Sequence, residues 1–160
     1  MSETVQIGRW VLRPDVARTQ AAHARLSKSG AAECACTGCV NFDAVRPQLL
    51  SGPLGGILEQ LGISPPWEVE AYELGRASSA LHHYGAWFHF VGTIESGPDA
   101  WQAVNDRVDV QTAAFARLSP TLSVGFHTHA ALVRPPFEGL PLVQLEISAE
   151  LPWVIGAEEP

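Results

Sequence analysis

The sequence predicts an α+β fold: a single domain over residues 1–160, with a mostly antiparallel sheet of about five strands and N-terminal helices packed on one face. Three observations predict it. Apolar residues recur at helical spacing up to Leu61, and they alternate or run in aromatic and β-branched stretches after Trp67. Helices first and strands afterwards leave no repeating strand–helix–strand unit. The length, 160 residues, suits one domain that buries about 70% of the surface its unfolded chain exposes.

Each element follows in turn. Val5, Ile7, Trp10 and Val11 read as a short strand ending at Pro14. Asp15 is a helix start, and Val16, Thr19, Ala22, His23 and Leu26 recur at helical spacing as far as Gly30, so 15–29 is predicted as a helix. Val40, Phe42, Val45 and Leu49 form another helical face, with a break expected at Pro47. A short helix over about 54–61 carries Leu54, Ile57, Leu58 and Leu61, and stops at Gly62 before Pro65-Pro66. Strands are predicted over 68–75, 83–95, 122–134 and 141–151. Residues 99–117 are ambiguous, because Trp101, Val104, Val108, Phe115 and Leu118 can share a helical face.

Composition narrows the function classes. The net charge is −7 and the pI about 5.2, which disfavours nucleic acid, because a negative surface repels phosphate. The ten basic residues are nine arginines and Lys28, scattered along the chain, so the balance suits a small basic ligand or a protein partner better than DNA. The start lacks the basic and apolar regions of a signal peptide. The longest uncharged stretch, Ala77 to Ile94, holds His82, His83 and His89 and reads as a buried strand, not a membrane span. A cytoplasmic chain is therefore expected. Among five tryptophans, most belong in the core, and any at the surface are candidate contacts of a homo-oligomer.

Three cysteines, Cys34, Cys36 and Cys39, fall within six residues. An odd, tight cluster is a poor disulfide framework. Cys-x-Cys-x-x-Cys suits zinc, because a Cys-x-x-Cys turn directs two sulfurs to one point and Gly38 permits the turn. Cys34 is a third candidate ligand and His23, on the preceding predicted helix, a fourth. Two other readings stand beside this one: a reactive thiol at a helix N-terminus, where amide dipoles favour thiolate, and small buried residues at a helix start.

The segment Cys34-Ala35-Cys36-Thr37-Gly38-Cys39-Val40-Asn41-Phe42, the later Leu61-Gly62-Ile63, the strand Tyr84-Gly85-Ala86-Trp87-Phe88-His89-Phe90-Val91-Gly92 and the ending Leu151-Pro152-Trp153-Val154 resemble, together, a group of small uncharacterised bacterial proteins. The resemblance spans most of the chain. It implies membership of that group and carries no activity and no functional residues.

Strand periodicity supplies a second constellation. Alternate side chains share a face, so His89, His127, His129, Gln144 and Glu146 fall opposite the apolar faces of their strands. His89, His127, His129 and Glu146 are then an alternative metal or ligand site, since two histidines at i and i+2 with a further histidine or carboxylate suit catalytic metals. A solvated polar sheet face is the plainer alternative. No hydrolase elbow, P-loop or dinucleotide fingerprint is present, so the sequence names no reaction. A zinc-binding protein, a metal-dependent enzyme on the histidine face and a metal-free interaction domain all remain open.

Overall fold

The computed structural model describes residues 3–104, 107–110 and 114–160, with 101–104 and 107–110 as backbone alone. Nine strands are described: β1 (Val5–Ile7), β2 (Trp10–Pro14), β3 (Glu70–Arg76), β4 (Leu81–Ser96), β5 (Trp101–Val104), β6 (Arg107–Val110), β7 (Ala116–Ser119), β8 (Leu122–His127) and β9 (Leu142–Pro152). The helices are α1 (Val16–His23), α2 (Gly30–Cys34), α3 (Thr37–Leu50) and α4 (Pro53–Gln60). Seven strands form one sheet in the order β1-β2-β4-β9-β8-β7, with β3 also on β4. β5 and β6 make a separate hairpin. Every described pairing is antiparallel.

The expected α+β class and antiparallel pairing are present, but the sheet has seven strands, not about five. Two short stretches account for the difference. The first predicted strand is a hairpin: Gly8 takes a left-handed conformation (φ 57°) and turns β1 back onto β2. The region 99–117, ambiguous in sequence, supplies β5, β6 and the start of β7; residues 105–106 and 111–113 lie outside the described residues.

β4 organises the sheet. Along one edge it pairs β9 from Leu81 to Val91. Its other edge is shared, β3 taking His82–Trp87 and β2 taking Gly92–Ser96. Its alternation puts Tyr84, Ala86, Phe88 and Phe90 on one face with Leu145 and Ile147 of β9 and Val124 and Phe126 of β8, and all of these join the core. α3 packs on this face through Phe42, whose ring lies 5.6 Å from that of Tyr84, and α4 adds Leu54, Ile57 and Leu58 to the same core.

α1 lies instead along the sheet edge. Between the stretches claimed by β3 and β2, Val91 N–H donates to Thr19 Oγ1 (3.0 Å) and His23 Nε2 donates to the His89 carbonyl (2.9 Å). Two side chains one helical turn apart thus satisfy backbone groups that a strand would have met.

Two helix expectations need correction. The helix predicted over 15–29 ends at His23, because Ser29 caps a separate helix, accepting from Ala32 N–H (3.1 Å). Gly30 opens that helix where a Cβ would stand 2.0 Å from the Val69 carbonyl oxygen, so the close approach of α2 to the entry of β3 needs glycine. The break expected at Pro47 does not occur, and α3 runs through it to Leu50. Pro47 lacks the N–H for the Asp43 carbonyl, but Asp43 is exposed and water can serve that carbonyl.

Candidate metal centre

The cysteine motif straddles the start of α3. Cys36 occupies the N-cap position and Cys39 faces inward one turn later. Asn41 Nδ2 donates to the Pro152 carbonyl (3.1 Å) and to the Tyr84 hydroxyl (3.2 Å), while Asn41 Oδ1 accepts from Val154 N–H (2.7 Å). The Tyr84 hydroxyl donates to the Gly38 carbonyl (2.9 Å). These bonds tie the turn to β4 and to the end of β9. Asn41 and Tyr84 escape a search for metal or catalytic residues; only their places in the two quoted motifs single them out.

The ligand atoms of Cys34, Cys36 and Cys39 all lie within 4.8 Å of one another. All three are free thiols, with Cys34 and Cys36 exposed and Cys39 buried. A tetrahedral zinc–thiolate set spaces its sulfurs about 3.8 Å apart, given Zn–S bonds of about 2.3 Å, so the trio is near the required spacing. Cys36 makes no side-chain cap hydrogen bond, yet the nearby Cys39 backbone N–H holds its thiol below the usual range, with help from the Cys39 and Cys34 thiols. Burial pushes the Cys39 thiol up, and the neighbouring thiols push it further. The outer Cys36 sulfur thus gives up its proton more easily than an ordinary thiol, whereas burial opposes ionisation of the inner Cys39, which a bound cation would offset.

His23 is not with the cysteines. Its Nε2 is committed to the His89 carbonyl, and its ring packs edge-on to Phe137 with centroids 5.0 Å apart. Among the described residues, no other group of three or more histidine, cysteine or carboxylate side chains has converging ligand atoms.

The histidine row is a buried hydrogen-bond chain. Strand register places His89 and His127 opposite Gln144, and Trp87 and Gly125 opposite Glu146. His89 Nε2 donates to Gln144 Oε1 (3.1 Å), and Gln144 Nε2 donates to Glu146 Oε2 (3.0 Å). The same carboxylate oxygen accepts from His127 Nε2 (3.2 Å), and Glu146 Oε1 accepts from the Tyr72 hydroxyl (3.1 Å). His89, His127, Gln144 and Glu146 are all buried. The cover comes from the chain after β8, where Ala131 N–H donates to Gln144 Oε1 (2.8 Å) and Phe137 lies 5.9 Å from the His89 ring. This face is therefore not a solvated one. His129 is exposed and lies beyond the strand, because β8 ends at His127, short of the strand predicted over 122–134.

Burial holds His89 down to about 4, against an unperturbed 6.5, and lowers His23 as well. Between those values the unfolded chain takes up a proton on His89 that the folded chain refuses, so stability falls as pH drops from 6.5 towards 4. The His89 contribution is on the order of 3 kcal/mol. Thermal melts at pH 7.5, 5.5 and 4.5 should show this acid slope, and His89→Gln should flatten it.

No described helix is long and apolar enough to cross a membrane. No protein-family model, no curated protein and no solved structure matches the chain.

Proposed function

We propose that the chain binds a metal ion through Cys34, Cys36 and Cys39, with zinc as the metal and a fourth position left for an outside donor. The observation that carries this reading is the convergence of three free sulfurs within 4.8 Å. Thiolate sets suit zinc and monovalent copper, and a three-ligand zinc site keeps a position open. Because Cys34 and Cys36 are exposed, that position faces outward, towards a small ligand or a protein partner, and the cysteine turn shapes the surface around it. Free thiols persist in a reducing compartment, and the reading accordingly assigns the chain to the cytoplasm.

The enzyme reading on the histidine face has less support. His89 and His127 are spent on Gln144 and Glu146, and His129 lies off the row. The metal reading predicts about one zinc per chain by elemental analysis, with uptake measured against a chromophoric chelator. Cys36→Ser should lower zinc affinity about 100-fold or more, and His127→Ala should leave the metal content unchanged. Metal-free protein that takes up no zinc above background would overturn the reading.

A further inference from the structure

Next to the cysteine turn, a cavity of about 360 Å³ opens between the segment after α1 and the segment after β8. Its volume lies at the small end of the roughly 300–1,000 Å³ usual for ligand sites. Deep in it lie His23 and His89, both buried. His23 Nδ1, though near the Pro65 carbonyl, closes no hydrogen bond. Trp67, Leu132 and Phe137 supply apolar lining.

The charge at this cavity runs against that of the chain. Arg25, Lys28 and Arg134 line it, in a protein whose net charge is −7. Its acidic lining residues are both engaged: Glu68 accepts two guanidinium bonds from Arg46 Nη2, each 2.7 Å, and Glu33 pairs with Arg134 at 3.3 Å. Arg25 and Lys28, both exposed, make no ion pair among the described residues. A cleft with surplus charge of one sign concentrates ligands of the other.

We infer that this cavity binds a small organic carboxylate with an apolar body. The carboxylate sits on Arg25 and Lys28 at the mouth, and the aryl or branched alkyl body lies against Trp67, Leu132 and Phe137. Histidines held neutral by burial let the deep end accept an uncharged group. A second cleft, about 180 Å³, shares Gly30, Glu33, Val69 and Arg134 with this cavity and reaches Cys34. The ligand would thus lie beside the cysteine trio, but the inference goes beyond the metal reading and does not depend on it.

The test therefore uses chelator-treated protein. Calorimetry would be run with 3-phenylpropionate and 4-methylpentanoate, and with the neutral amide of each. Expected is saturable one-site binding of at least one acid, about tenfold tighter than its amide. Arg25→Gln/Lys28→Gln should weaken the acid about tenfold while leaving the melting temperature unchanged, and Arg18→Gln, an exposed arginine elsewhere, should not affect binding. Absence of saturable binding by both acids, equal affinity for acid and amide, or indifference to the double substitution would overturn the assignment.

Discussion

Replacing Glu146 with leucine should destabilise the protein by about 3–5 kcal/mol, among the largest losses expected of a single substitution. The carboxylate accepts from Tyr72, Gln144 and His127, and its residue is 2% exposed. Leucine leaves the buried His127 and Gln144 donors and the half-buried Tyr72 hydroxyl facing hydrocarbon, and each unmade buried bond costs about 1–3 kcal/mol. Tyr72→Phe removes one donor and leaves the carboxylate its other two, so its cost should be about 1–2 kcal/mol. Urea denaturation of both variants checks the ranking. Equal and small losses would mean that water reaches this row.

Arg46→Met should cost about 3–5 kcal/mol by the same measurement, because it strands a buried carboxylate. The Glu68 side chain is 0% exposed and holds both the Arg46 guanidinium and the Ala31 backbone N–H (2.9 Å). In a chain of this size the loss lowers the melting temperature by about 10 °C. Arg46→Met combined with Glu68→Gln should recover part of the loss, since the double change removes the unpaired charge. The pair joins α3 to the segment that leads into β3, so weakening it should also loosen α2, whose Ala31 N–H depends on Glu68.

The face shared by His89, His127, Gln144 and Glu146 was legible because strand alternation has a period of two, which register cannot blur within one strand. Their convergence depended on the pairing of β4, β8 and β9, and that lies between strands. The burial of the row was not legible at all. Its cover comes from Ala131 and Phe137, in a stretch without periodicity. His129 was misplaced because His127-Thr128-His129-Ala130 continues the strand pattern, whereas Thr128 turns aside to Asp99, its N–H and hydroxyl donating to one carboxylate oxygen at 3.3 and 3.1 Å. His23 was misplaced for a related reason. Helical spacing gave its helix but not the sheet edge that the helix serves. The nearness of the cysteines was legible because six residues of chain cannot separate them far.

The placement of α1 has a consequence for the life of the protein in a crowded solution. Residues 88–91 of β4 belong to neither β2 nor β3 on that edge, and an unclaimed stretch of strand is a template for pairing with another chain. Thr19 and His23 occupy it with groups that cannot extend a sheet. A short helix, contributing little apolar surface of its own, thus acts as a stopper against aggregation. Its loosening would uncover the backbone of residues 88–91, which carries the core residues Phe88 and Phe90, to any strand that reached it.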